Sequence, residues 1–385
     1  MAGLCEMDAQ VIIAGAGPAG AWLAYQLARE DISTLLLEKD RVPRYKSCGG
    51  ALSRKTCAIL TSEFDPGDIP TEVAIDRLTF CCPGQPDVNY HSPGNAITMV
   101  MRDRLDAFLA RQAHSAGATL VEGETVREVQ VCDDGVTVHT GRRRYRGELL
   151  AGADGAGSAV ARRLGIEPAE SGAAVQGEVR GRIPEDLWGR ITLDYGSVRN
   201  GYSWVFPKRD HVSIGTGCMR GRGYGLRARF FSYLNRLGID PDSCRIFLRG
   251  HPIPWGMRGT MAGERFLLVG DAAHLADPLT GEGIYSALRS AQLAAAEIIS
   301  ALKRGRFDLR RYAEAVREQM GPEIRAAALL GRLVFRWPGA VHRLLRTSPA
   351  MMNTVMSMVQ GETSCLQAHA TLIEALMMRA PTEHS

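Results

Sequence analysis

Nothing in this 385-residue chain approaches the roughly 18 uninterrupted apolar residues that a membrane-spanning helix requires. The apolar run from Val11 to Tyr25 is broken by Gly15-Ala16-Gly17-Pro18. No basic region or cleavage site precedes that run, so no signal peptide is expected. The nine cysteines are scattered and odd in number, without a Cys-x-x-Cys pair, which removes the basis for a disulfide framework or a zinc site. Reduced thiols in a cytoplasm are the simple expectation. Lysine is scarce: Lys39, Lys46, Lys55, Lys208 and Lys303 are the only five. The chain has no Ser/His/Asp nucleophile elbow and no His-Glu-x-x-His pair, so no metal is expected. No module of interleaved basic and aromatic residues speaks for a nucleic-acid partner.

What remains is a globular composition, 45% hydrophobic and 23% charged, long enough for two intertwined domains and an appendage. The net charge of +4 is uneven, because residues 301–385 hold twelve Lys/Arg against seven Asp/Glu. The sequence predicts a β-α-β unit: a strand at Gln10–Ala14, a helix at Pro18–Glu30 and a strand at Ser33–Leu37. A helix at Arg104–Ser115, capped by Asp103, is followed by strands at Thr125–Val131, Val136–Thr140 and Tyr145–Ala151. Asp133-Asp134-Gly135 turns the first two of these strands into a hairpin. Alternation dominates at Ala174–Val179, Ile191–Tyr195, Ser203–Phe206 and His211–Thr216, with a helix near Leu226–Leu237. A buried strand at Phe266–Gly270 and a helix at Glu282–Lys303 come next, and beyond 306 the pattern is helical.

Gly15-Ala16-Gly17-Pro18-Ala19-Gly20 follows a strand and opens a helix. Its glycines permit a tight turn, close approach to a pyrophosphate and close helix–strand packing. Glu38 ends the second strand eighteen residues beyond Gly20, where an acid can take a ribose hydroxyl. The unit therefore reads as a dinucleotide site. Gly270-Asp271 follows a strand and precedes Pro278, Gly281, Gly283 and Ile284 at a helix start. A carboxylate there can accept from ribityl hydroxyls, and helix-terminal amides can face a pyrophosphate or the electron-rich edge of a flavin. That spacing favours FAD over NAD. Asp154-Gly155 after a strand is either a nucleotide contact or a plain turn. Arg102 ahead of Leu105-Asp106 is either a cofactor contact or an ion-pair partner. His274, after Asp271, belongs to the turn. Tyr202, Trp204 and Phe206 alternate on one strand face, forming either a broad apolar wall or sheet core.

Two further elements, Cys48-Gly49-Gly50 and Gly201-Tyr-Ser-Trp204-Val-Phe-Pro207-Lys208, complete a set that resembles the geranylgeranyl reductase family over about residues 11–300. The resemblance implies an α/β fold: a Rossmann-like FAD-binding domain (8–70, 98–172, 260–305), an inserted strand-rich substrate domain (71–97, 173–259) and a C-terminal helical region (306–385). It implies FAD held by Gly15, Gly17, Ala19, Gly20, Glu38, Cys48, Gly49, Gly50, Arg102, Asp154, Gly155, Asp271, Pro278, Gly281, Gly283 and Ile284. Cys48, Tyr202 and Trp204 would lie at the chemistry. The activity implied is reduction of C=C bonds of a geranylgeranyl group on a lipid, quinone or tetrapyrrole, with NADPH or a reduced carrier protein as electron donor. A flavin monooxygenase or halogenase of the same fold is the alternative, and a flavin-bearing lipid carrier a third. Residues 331–361, with arginines and methionines among large apolar side chains, either lie on an anionic membrane surface or pack as ordinary core helices.

Overall fold

The computed structural model of the protein describes residues 7–221 and 223–370. Ala9–Ala14 is the centre of an eight-stranded sheet and pairs in parallel with both Thr34–Glu38 and Arg144–Gly152. Thr119–Glu122 and Phe266–Leu268 extend it in parallel on either side. The strand Ala9–Ala14 and Leu35, Leu36 and Leu37 are almost wholly buried, as parallel strands covered on both faces must be. The helix Pro18–Ala28 crosses from the first strand to the second and packs between the helices Arg102–Ser115 and Ile284–Arg304. Gly135–Thr140 pairs antiparallel with Val126–Cys132, so the Asp133–Gly135 turn makes the expected hairpin.

Helix Arg102–Ser115 begins two residues earlier than its pattern suggests. Met101 is the extended residue before it (φ −98°, ψ 131°), and Asp103 lies inside the first turn rather than capping it. The early start is stabilised by Arg102, whose guanidinium grips Asp106 one turn on with bonds of 2.8 and 2.9 Å.

A seven-stranded sheet runs in the order Cys244–Pro254, Ser171–Gly181, Val212–Cys218, Gly201–Pro207, Ile191–Tyr195, Arg77–Cys81 and Val88–His91. Thr71–Ile75 does not join it. With Ile97–Val100 and Ala51–Ser53 it forms a separate three-stranded sheet. The segment 71–97 therefore contributes strands to both sheets, since alternating side chains identify a strand but not its partner.

Four helices follow, Arg310–Gln319, Gly321–Arg336, Pro338–Thr347 and Pro349–Gln360. The fourth starts where the Ser348 hydroxyl accepts from the Met351 amide at 3.3 Å and stops at Gly361 (φ +80°). Leu344, Leu345, Met351, Met352 and Met356 share a core with Ile75, Leu78, Phe80 and Ile97, so these helices pack on the two smaller sheets. His342 is fully buried between them. Its Nε2 donates to the Pro86 carbonyl (2.8 Å), which leaves Nδ1 to accept from the Tyr195 hydroxyl (2.9 Å). Among the described residues no helix is long and apolar enough to cross a membrane.

Candidate functional site

One cavity of about 740 Å³ reaches from the glycine-rich turn to the C-terminal helices. At the turn, Gly15 has φ +102°, and a Cβ there would lie 2.5 Å from the Ala153 carbonyl oxygen. A Cβ on Gly20 would lie 1.9 Å from the Gly15 oxygen, so Gly20 allows the helix to meet the turn and does not itself line the cavity. Gly17 is different: it is extended (φ −75°, ψ −177°), and a Cβ there meets nothing within 4 Å. Open space therefore lies over the helix N-terminus, where an anion is favoured by unpaired amides. Glu38 turns its carboxylate back into this turn, accepting from the Ala16 amide at 2.8 Å while lining the cavity.

From Glu38 a chain of charge follows the cavity wall. Arg44 contacts Glu38 at 3.5 Å and Asp106 at 2.8 Å, and Asp106 holds Arg102. Burial weakens the Arg102 cation, but Asp106 and Cys48 more than offset it and raise its pKa. Arg102 is thus an ion-pair partner that also lines the cavity.

The segment Tyr45–Gly50 runs between the large sheets and is fastened at each step. Tyr45 donates to Glu178 (3.0 Å), Lys46 to His251 Nε2 (2.6 Å), Gln176 to the Cys48 carbonyl (3.0 Å) and Lys208 to the Gly49 carbonyl (2.5 Å). Glu178 also accepts from Gln176, Ser213 and buried His211, whose other ring nitrogen faces Asp210 at 2.7 Å. Burial works against the Glu178 charge, yet His211, Ser213 and Tyr45 together bring its pKa below the ordinary value. Burial brings Lys46 down to about 8 and Lys208 to about 8, and lowers His251 to about 3 with Lys46 contributing. Lys46, Gln176, Glu178, His211 and His251 carry no local sequence signature; only Lys208 was flagged, by its place after Pro207.

The paired glycines beside Cys48 have a local cause. A Cβ on Gly49 would sit 2.6 Å from the Phe206 ring, and one on Gly50 (φ +65°) 2.0 Å from the Val100 carbonyl oxygen. Gly49 thus lets the backbone lie against the Phe206 ring, and both glycines also line the cavity. Tyr202, Trp204 and Phe206 do form one wall, with ring centroids 5.5 and 6.1 Å apart, and all three line the cavity. Trp204 lies over Gly215 of the next strand, where a Cβ would come within 2.1 Å of its ring. Glycines at 215 and 217, alternating on that strand, were the unread signal for this close approach. The Trp204 Nε1 is buried without a hydrogen-bond partner among the described residues. The Tyr202 hydroxyl donates to the Thr280 carbonyl and ties this sheet to the loop before helix Ile284–Arg304.

That loop brings Gly281, Gly283 and Ile284 to the cavity, while Pro278 stays outside its lining. Asp271 also lines it, and its carboxylate makes no hydrogen bond among the described residues. Burial raises its pKa, opposed by Lys46 and Arg102. Asp154 and Gly155 line it too, and the Asp154 carboxylate accepts from Ser158 Oγ (2.6 Å) and the amides of Ala159 (2.6 Å) and Val160 (3.1 Å), holding a short helix start at the cavity edge. His274 adopts φ +60° and turns the chain after Asp271, its Nδ1 near the Glu170 carbonyl. The far end of the cavity is apolar, walled by Phe80, Ile191, Leu193, Phe335, Leu345 and Met358. Of the four methionines of helix Pro349–Gln360 only Met358 reaches it, since Met351, Met352 and Met356 are core. The open anion cradle, the unbonded Asp271 carboxylate and the glycine-bounded Cys48 segment suit a flavin dinucleotide, and the aromatic and helical end suits a long apolar chain.

Residues 8–184 match the FAD binding domain family. Over 356 residues the chain is 30% identical to the chloroplastic geranylgeranyl diphosphate reductase of Oryza sativa subsp. japonica, covering 85% of this chain and 75% of that one. Its fold is that of a geranylgeranyl bacteriochlorophyll reductase-like protein from Thermoplasma acidophilum (TM-score 0.77, 20% identity, 97% of each chain). The fold is also that of the halogenase PltM (TM-score 0.72, 18% identity, 94% of this chain and 86% of that one).

Proposed function

The chain belongs to the geranylgeranyl reductase family of FAD-dependent oxidoreductases, and from that premise we propose that it reduces C=C bonds of a polyprenyl group, geranylgeranyl first among them, carried on a lipid, quinone or tetrapyrrole. The observation that carries this reading is the two-ended cavity: a glycine-rich polar end built for the cofactor, continuous with an uncharged wall of Tyr202, Trp204 and Phe206. A polyprenyl chain offers no charge to grip, and an extended apolar wall is what can hold it.

Bound FAD supplies, once reduced by NADPH or a carrier protein, a hydride. The residues supply the rest. An unactivated trisubstituted alkene accepts hydride poorly, so a proton must reach it as tertiary cation character develops. In this reading the π face of Trp204 or Tyr202, both of which line the cavity, stabilises that charge. Lys46 is the proton holder the geometry offers. Its ammonium lines the cavity, is oriented by His251 at 2.6 Å, and gives up its proton near pH 8. A group poised near the working pH is the efficient donor. The Tyr45–Gly50 segment, with Glu178 and Lys208 behind it, keeps Lys46 and Cys48 in place.

The test is anaerobic mixing of the chemically reduced holoprotein with a geranylgeranyl lipid. Flavin reoxidation with a product gaining one hydrogen pair per reduced double bond supports the reading. A flavin that stays reduced, with product forming only when oxygen or halide is added, replaces it with a monooxygenase or halogenase.

A further inference from the structure

Five arginines lie on the outer faces of two consecutive helices with no acid paired to them among the described residues. On Gly321–Arg336 the exposed positions Arg325, Leu329, Arg332 and Arg336 recur every three or four residues and so form one stripe. Pro338–Thr347 continues it with exposed Arg343 and Arg346. Between Glu323 and Glu362 the sequence contains no Asp or Glu, and none of the five arginines makes an ion pair among the described residues. The two flanking acids are occupied elsewhere: Glu323 accepts from the amide of Cys365, and Glu362 pairs with Arg54.

Two large apolar side chains stand among these cations. Trp337, at the corner between the helices, is 53% exposed and Leu329 is 44% exposed. Arg336 lies over the Trp337 ring at 5.7 Å. The inner sides of the same helices carry Val334, Phe335, Val341 and Leu345 into the apolar end of the cavity. The stripe and the cavity are thus separated by the thickness of one helix, roughly 10 Å.

We propose that the Arg325–Arg346 face is a docking surface for a bilayer containing anionic lipid, with Trp337 and Leu329 entering the headgroup region above the apolar end of the cavity. Arginines satisfy lipid phosphates, and an indole with one polar edge settles at the interface. A second copy of the chain is disfavoured, because a two-fold contact would set this unpaired positive charge against itself. An acidic protein would satisfy the arginines but gives Trp337 and Leu329 no apolar environment. On residues 349–360, Met351, Met352 and Met356 pack in the core and Met358 lines the cavity, so the exposed arginine stripe runs from Arg325 to Arg346.

The experiment is cosedimentation of the FAD-loaded protein with sucrose-loaded vesicles of phosphatidylcholine, with and without about one-third phosphatidylglycerol, at low and high salt. Binding that requires phosphatidylglycerol and weakens with salt is expected. Arg332→Glu with Arg336→Glu should weaken it by at least about tenfold, given about 1 kcal/mol per cation at such a surface. Trp337→Ser should remove the fraction that survives high salt. Flavin content and far-UV circular dichroism check that these exposed changes leave the fold intact. Absence of vesicle binding, equal binding by the charge-reversed protein, or an arginine-dependent dimer in sedimentation velocity overturns the proposal. So does retention on an acidic protein column without vesicle binding. The assay needs no turnover, so its failure is distinct from failure of the prenyl-reduction reading.

Discussion

Gly17 and Gly20 sit three residues apart in one motif, yet alanine should act on different quantities at each. At Gly17 the backbone is extended and a Cβ meets nothing within 4 Å, so the apoprotein should tolerate Gly17→Ala with a stability change within about 1 kcal/mol. The added methyl occupies the space over the helix N-terminus instead. Displacing a pyrophosphate from one or two amides there forfeits charge-assisted bonds of about 1.5–3 kcal/mol each. FAD affinity should then fall between about tenfold, for one weak bond lost, and about ten-thousandfold, for two strong ones, at about 1.4 kcal/mol per decade. Gly17→Val should leave the protein as isolated without flavin. Gly20→Ala places its methyl 1.9 Å from the Gly15 carbonyl oxygen, a backbone atom that cannot swing aside. Overpacking of that kind costs about 1–3 kcal/mol of apoprotein stability. Urea unfolding of deflavinated protein reads the first quantity and quenching of flavin fluorescence on titration reads the second. Wild-type FAD affinity in Gly17→Ala, or wild-type apoprotein stability in Gly20→Ala, would refute the assignment of open cradle to one glycine and packing to the other.

Asp271→Ala should weaken FAD binding by about 1.5–3 kcal/mol if its unbonded carboxylate accepts a ribityl hydroxyl, and equilibrium dialysis showing no change would reduce it to a turn residue. Trp204→Ala is expected to cut prenyl turnover more than flavin content. Because truncating a buried Trp can cost about 3–5 kcal/mol, Trp204→Phe is the companion, and unfolding of both variants would mean the ring is only core. The Lys46 pKa is lowered in the fold, so its ammonium is present below about pH 8 and lost above it. Turnover that consumes its proton should therefore decline as pH rises through about 8, and Lys46→Met should be slow with that limb gone. An unchanged alkaline limb in the variant would assign the proton elsewhere.

The parts legible in the sequence were those whose cause is local. Gly15 to Glu38 announces its strand, turn, helix and strand because each break in the pattern has a nearby residue responsible for it. Asp133-Asp134-Gly135 is a hairpin, and Ser348 and Gly361 bracket a helix, for the same reason. The aromatic stripe was visible as a period of two, although only the placement of Gly215 opposite Trp204 and Gly217 opposite Tyr202 shows how closely the sheet accommodates it. What stayed illegible depends on pairs far apart in the chain. Lys46 meets His251 across 205 residues and Tyr45 meets Glu178 across 133, and no spacing rule connects them. Asp-Gly after a strand serves as a nucleotide contact or as a turn, and Asp154 keeps both: it holds the helix start through Ser158, Ala159 and Val160 while it and Gly155 line the cavity. The close neighbours of Gly49 and Gly50, the Phe206 ring and the Val100 carbonyl, are likewise distant in the chain.

The cavity's apolar wall and its cover are made at different times. Tyr202, Trp204 and Phe206 leave the ribosome more than a hundred residues ahead of Val334 and Phe335. At roughly 5–20 residues per second that interval is on the order of ten seconds. During it the nascent chain carries a strip of three aromatic rings facing water or whatever apolar surface comes first. Chaperone contact or early arrival of the flavin would protect the strip, and shortage of either should appear as aggregation of chains truncated before residue 321 while the full-length protein stays soluble.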